Sequence, residues 1–267
     1  MRVASPYQRV VVDTASKRYG ITGHAPPPGT IASGGFGGHA TLNDCLVAYW
    51  RLDETSGDAL DATGNNHTLT DVNTVTTASG KINTARQFTL ASSESFLMAA
   101  DHAAFDVGAT QNFTVTCWVY LDSLDPSSSP RIAMHRASRF PDRGWWLGYF
   151  AGNEFQFTVT NSTNSVAASN FPAGGTIATG TWYFLAGRCY AADSPKHIKL
   201  DVNAVTVEEK FSADAWAEEA TAKLRMGRQD SAAWFMDGRI DEAAYFDCVL
   251  SDAEITALYN GGAGLPY

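Results

Sequence analysis

The sequence predicts an all-β fold of two packed antiparallel sheets. Three observations predict it. From about Asp44 to residue 250 the chain runs in short segments of alternating apolar and polar residues, each closed by turn residues. Hydrophobic residues make up 45% of the 267 positions and aromatic residues 12%, enough to fill one sandwich core. Only one segment has a complete helix signature, and no apolar run approaches the roughly 18 residues of a membrane span.

The strand candidates follow in order: CLVAYWRL (45–52), NFTVTCWVYL (112–121), GWWLGYF (144–150), EFQFTVT (154–160), TWYFLAGRCY (181–190), HIKLDV (197–202), AVTVEEKF (204–211), AKLRMG (222–227) and WFMDGRIDEAAYF (234–246). In the second, Phe113, Val115, Cys117 and Val119 share one face and Thr114, Thr116, Trp118 and Tyr120 the other. Ala151-Gly152-Asn153 between the third and fourth marks a hairpin. Ser251 and Glu254 are spaced as a capping box, in which each side chain bonds the other's backbone amide. Ile255, Leu258 and Tyr259 then form one apolar face, and Asn260-Gly261-Gly262 ends the helix.

Residues 1–43 form an extended N-terminal arm whose 25–40 stretch, APPPGTIASGGFGGHA, is a Pro/Gly connector, and residues 44–267 form the sandwich. The arm holds Arg2, Arg9, Lys17 and Arg18 against Asp13, a net +3, while the remainder carries 15 basic and 27 acidic residues, a net −12. An acidic body argues against nucleic acid as a partner. The N-terminus has no apolar segment of secretory length, and no membrane association is expected.

Cys45, Cys117, Cys189 and Cys248 lack zinc spacing. A secreted sandwich would pair them; without a signal, free thiols packed as small apolar residues are the expectation. The six histidines are scattered, and no Ser-nucleophile elbow is present. Trp145, Trp146 and Trp234 fall beside predicted loops or strand starts and are the candidate carbohydrate platforms, because a sugar's apolar face stacks on a ring. Adjacent Trp145 and Trp146 cannot both enter the core; the alternative for each is ordinary packing.

Four segments resemble the laminin G-like group of the concanavalin A-like lectin/glucanase superfamily over roughly residues 44–262. These are VAYWRLDETSGDALDATGNNHTL, QNFTVTCWVY, GTWYFLAGRCY with HIKLDVNAV, and FMDGRIDEAAYFDCVLSDAEITALYNGG. The resemblance implies a jelly-roll sandwich with adjacent first and last strands and an inward Trp118. It departs from the group at the hairpin Val202-Asn203-Ala204, where Asp-Gly is usual. It also implies a structural calcium ion held by Asp241 with Asp53 or Glu54; the alternative is that Asp241 bonds backbone amides or Arg239 or Arg51. The hydrolases of the superfamily carry Glu-x-Asp-x-x-Glu on one strand, since retaining hydrolysis needs two carboxylates about 5 Å apart. No glutamate of this chain has an Asp two residues later, so the chain is expected to be non-catalytic.

Ordering the arm's backbone costs about 1–2 kcal/mol per residue, which a Pro/Gly segment recovers only on a neighbour. The leading expectation is therefore a structural virion component, a bacteriophage capsid decoration or tail protein assembled in the host cytoplasm. Residues 1–40 would lie on neighbouring subunits of a homo-oligomer. The alternative is a glycan-binding adhesion module, extracellular or on a bacterial cell surface, with cell-surface glycans as partners. A divergent glycoside hydrolase is the minor alternative.

Overall fold

The computed structural model describes residues 11–12, 19–20, 35–37, 39–124, 131–137, 144–150, 154–161, 165–170, 177–217, 222–229 and 234–267. Chain contacts divide it into residues 1–33 and 34–267. In the first unit, β1 (Val11–Val12) pairs antiparallel with β2 (Tyr19–Gly20). The rest of the expected arm, and so its contacts with neighbouring subunits, lies largely outside the described residues.

The second unit begins earlier than residue 44, because Phe36 and Leu42 are buried within it, flanking and within the one-turn α1 (Ala40–Asp44). It is a sandwich of two antiparallel sheets. One sheet has the order β12 (Ser165–Asn170), β11 (Glu154–Thr160), β10 (Gly144–Phe150), β9 (Arg131–Ala137), β16 (Arg225–Met226), β7 (Ser95–Met98), β4 (Leu69–Val72). The other has the order β15 (Val205–Ser212), β14 (Lys196–Val202), β13 (Trp182–Tyr190), β8 (Phe113–Leu121), β17 (Gly238–Phe246), β6 (Thr84–Phe88), β5 (Thr76–Ser79). As the resemblance implied, the opening strand β3 (Leu46–Trp50) pairs with the last strand β17, so the chain's ends close one sheet.

Period-two alternation builds the core. Phe113, Val115, Cys117 and Val119 of β8 meet Trp145, Leu147, Phe155 and Phe157 of the facing sheet. Gly187 sits under the Phe157 ring, where an added Cβ would lie 2.4 Å from a ring carbon, so the sheets approach closely there.

A second buried cluster lies outside the eight-stranded sheet. Trp118, Phe184, Phe246 and Tyr49 pack there with Ile255 and Leu258 of α2 (Asp252–Tyr259). The capping box is formed as its spacing predicts, with the Glu254 amide donating to Ser251 Oγ at 3.3 Å and the Ser251 amide to Glu254 Oε2 at 2.8 Å. Asp252 fixes the helix start by pairing with Arg188, whose buried guanidinium also grips both Asp201 oxygens at 2.7 Å. Trp118 thus faces outward under the helix, its ring 5.7 Å from that of Tyr259, and does not point between the sheets as the resemblance implied. Odd and even residues of β8 must take opposite faces, and Cys117 and Val119 occupy the inner one.

The cysteines also depart from expectation. Cys45 and Cys248 form a disulfide, because pairing of β3 with β17 brings the residues flanking these strands together. Cys117 and Cys189 are the buried free thiols.

Candidate functional site

The two adjacent tryptophans of β10 point to opposite sides. Trp145 is fully buried, its ring 5.9 Å from both Phe113 and Tyr245. It is a core residue, which corrects its candidacy as a sugar platform. Trp146 faces outward and is half-buried, and its indole N–H donates to Gln156 Oε1 on β11 at 3.3 Å. Trp234 is also half-buried, and its ring stands edge-on to Phe150, 6.2 Å away. Phe150 lies four residues along β10 from Trp146, so both share a sheet face.

Around Trp146 the register builds a transverse row. Thr158, Trp146, His135, Arg225 and Leu97 stand directly opposite one another on β11, β10, β9, β16 and β7. These cross-strand neighbours lie about 4.5–5.5 Å apart, close enough for their side chains to pack on one another. His135 and Thr158 are fully buried. Both ring nitrogens of His135 and the Thr158 hydroxyl find no hydrogen-bond partner among the described residues. Such groups cost about 1–3 kcal/mol each unless something else satisfies them. Burial, with the positive charges of Arg225 and Arg228 beside it, pushes the His135 imidazole down to about 3, so it is neutral near pH 7.

The half-buried indole and the Gln156 amide that fixes it form a surface for stacking and hydrogen bonding, with the neutral imidazole and the hydroxyl buried beside the indole. No member of the row is a carboxylate, so the row by itself offers no acid and base for glycoside hydrolysis. His135, Thr158, Gln156 and Arg225 were not expected from the sequence. The alternation of EFQFTVT could have placed Gln156 and Thr158 outward, but nothing local indicated their neighbours.

The expected calcium ligands serve another purpose. Asp241 Oδ2 accepts from the amides of Lys81 at 2.7 Å and Ile82 at 3.0 Å, and its Oδ1 accepts from the Glu242 amide at 3.0 Å. Asp53 Oδ1 accepts from the Thr84 amide at 3.0 Å, and Glu54 Oε1 from the Leu60 amide at 2.8 Å. Asp241 and Asp53 therefore tie down the β5–β6 hairpin turn. Amide N–H groups aimed at these oxygens present positive dipoles where a cation would need lone pairs, so this donor set does not fit calcium. Among the described residues, no group of three or more His, Cys, Asp or Glu side chains converges as a metal site.

Residues 97–256, well over half of the chain, match the concanavalin A-like lectin/glucanases superfamily. The chain belongs to this superfamily. No curated protein matches the sequence.

Among solved structures, the lectin/glucanase-type sandwich is similar to three binding or carbohydrate-associated domains. The binding domain of Paraclostridial Mosquitocidal Protein 1 superposes with a TM-score of 0.64 at 12% identity, over 82% of this chain and 53% of that one. The binding domain of botulinum neurotoxin serotype G gives 0.61 at 12%, over 80% and 50%. Domain 4 of AbnA, a GH43 extracellular arabinanase from Geobacillus stearothermophilus, in complex with arabinotriose, gives 0.53 at 19%, over 79% and 97%. This chain thus spans about half the length of the two toxin domains and nearly all of the arabinanase domain. At these identities the likeness shows the shared fold.

Proposed function

We propose that this superfamily member is a non-catalytic glycan-binding module working outside the cell, with Trp146 as its stacking platform. The observation that carries the reading is the Thr158–Trp146–His135 row, where a half-exposed indole stands beside the buried His135 ring and Thr158 hydroxyl, which find no partner among the described residues. Sugar hydroxyls both donate and accept, so a sugar stacked on the half-buried indole can also bond the half-buried Gln156 amide beside it. The similarity to an arabinanase domain in complex with arabinotriose supports a carbohydrate ligand. The Cys45–Cys248 disulfide supports an oxidising compartment. These observations favour the module over the virion component suggested by the N-terminal segment.

A glycan array probed with the purified chain tests the reading. Binding to at least one glycan class is expected, with a loss of about tenfold or more in Trp146→Ala, since stacking and its hydrogen bonds contribute on the order of 1–2 kcal/mol. Unchanged binding by a folded Trp146→Ala variant would refute the site. Release of reducing sugar from a bound polysaccharide, abolished by replacing one carboxylate, would refute the non-catalytic assignment.

A further inference from the structure

The outer face of the eight-stranded sheet carries a second transverse row, unrelated to the first. Helix α2 covers Trp118 of β8 and Phe184 of β13. Two residues further along these strands, Tyr120 and Trp182 are half-exposed, their ring centroids 5.4 Å apart at 56°. The register continues from Trp182 to Tyr120, Arg239 and Gln87, across β13, β8, β17 and β6.

The polar members are locked in place. The Arg239 guanidinium lies over the Tyr120 ring, 4.5 Å from its centroid. Its Nε donates to Gln87 Oε1 at 2.9 Å and its Nη1 to the Ser79 carbonyl at 3.2 Å. Gln87 Nε2 donates in turn to the exposed Asp122 carboxylate at 2.6 Å. Gly238, at a φ of +147°, admits this close packing: an added Cβ would lie 2.0 Å from the Tyr120 carbonyl oxygen.

Three donors remain uncommitted. Among the described residues Arg239 makes no ion pair and its Nη2 has no partner; neither do the Trp182 indole N–H or the Tyr120 hydroxyl. A guanidinium already fixed by stacking and two hydrogen bonds loses little entropy when it engages a ligand. A tilted aromatic pair and a cationic donor in one row, with a carboxylate acceptor beside it, match a pyranose. Its C–H face stacks on a ring, and vicinal hydroxyls accept from a guanidinium while donating to a carboxylate. One cation in the row and one anion beside it leave no net charge to select a charged sugar.

We infer that Trp182, Tyr120, Arg239, Gln87 and Asp122 form a second carbohydrate-binding site, specific for a neutral pyranose. The two rows lie on the outer faces of opposite sheets, so the module is bivalent and links two glycan chains. Two sites on one rigid body raise apparent affinity for a polymer by mass action without any new contact.

The test uses the full chain against immobilised dextran, galactan and mannan, with heparin as the charged control. Trp182→Ala and Arg239→Ala are measured beside Trp146→Ala, and thermal unfolding confirms that each is folded. Each of the first two should weaken binding to one neutral polymer by about tenfold, and Trp146→Ala should leave that component intact. Should Trp182→Ala fail to fold, Gln87→Ala, at a half-exposed position, takes its place with the same expected loss. Binding to none of the neutral polymers, binding to heparin alone, or loss of all binding in Trp146→Ala would each overturn the second site. Binding that depends on Trp182 but not on Trp146 would uphold it while refuting the Trp146 platform.

Discussion

Cys45 and Cys248 are joined by a disulfide that clamps the start of the sandwich to the turn after its last strand, 203 residues further along the chain. The crosslink stabilises by limiting the unfolded chain, an effect of about 2–5 kcal/mol for a loop this long. Cys248→Ser should lower stability by that amount in denaturant titrations. A thiol reagent should label the native protein at neither Cys117 nor Cys189, since both are buried and burial raises their thiol pKa. Rapid labelling of the native protein would show that the core opens there.

Trp145 and Trp146 should respond oppositely to truncation. Trp145→Ala empties a fully buried site and should cost about 3–5 kcal/mol of stability. Trp146→Ala removes an outward ring and should cost far less stability while weakening glycan binding at its own site about tenfold. Comparing the two midpoints at constant m-value checks the assignment.

Glu242 gives stability a pH dependence. It sits at a φ of +48° where β17 bulges between its pairings with β6 and β3, and burial alone pushes its carboxyl up to about 8 from 4.5. Between those values the folded state holds a proton that the unfolded chain releases. The contribution is therefore full below about pH 4.5 and declines as the pH rises to about 8. Glu242→Gln keeps the shape without the titration, so it should flatten the decline and be the more stable protein above pH 8. An unchanged slope from pH 5 to 8 in the variant would contradict the assignment.

The carboxylate of Asp241 should act as a backbone anchor, with no need of a metal. Neither calcium nor chelator should shift the melting temperature. Asp241→Ala should lower it, because three backbone amides, the buried Glu242 amide and the part-buried Lys81 and Ile82 amides, lose their acceptor at up to about 1–3 kcal/mol each. A rise in melting temperature with calcium that vanishes in Asp241→Ala would restore the calcium site.

The β14–β15 turn places Asn203 at a φ of +52° and Ala204 at +63°. Asn tolerates this region; Ala suffers a Cβ clash of about 1–2 kcal/mol. Ala204→Gly should therefore stabilise the protein by roughly 1 kcal/mol, read as a higher denaturant midpoint. A lower midpoint would show that the Ala204 methyl, which packs beside the outer cluster, contributes more than the turn strain costs.

The sequence by itself determined nine of the strands, their two-faced alternation and the terminal helix, because these depend on spacing along the chain; β4, β5, β6, β7, β9 and β12 were not read from it. The capping box from Ser251 to Glu254 is local chemistry, and it forms as its spacing requires. Periodicity tells which residues share a face but not which strand lies beside which, so it left Trp145 and Trp146 distinguishable only as a pair. The β17 bulge also breaks the alternation between Asp241 and Ala244, which a period-two reading passes over. The tertiary structure alone decided that Trp146 stands beside His135 and Arg225, that Trp182 and Tyr120 stand beside Arg239, and that Cys45 meets Cys248. Those neighbours are far apart in sequence, and only the order and register of strands in the closed sheets bring them together.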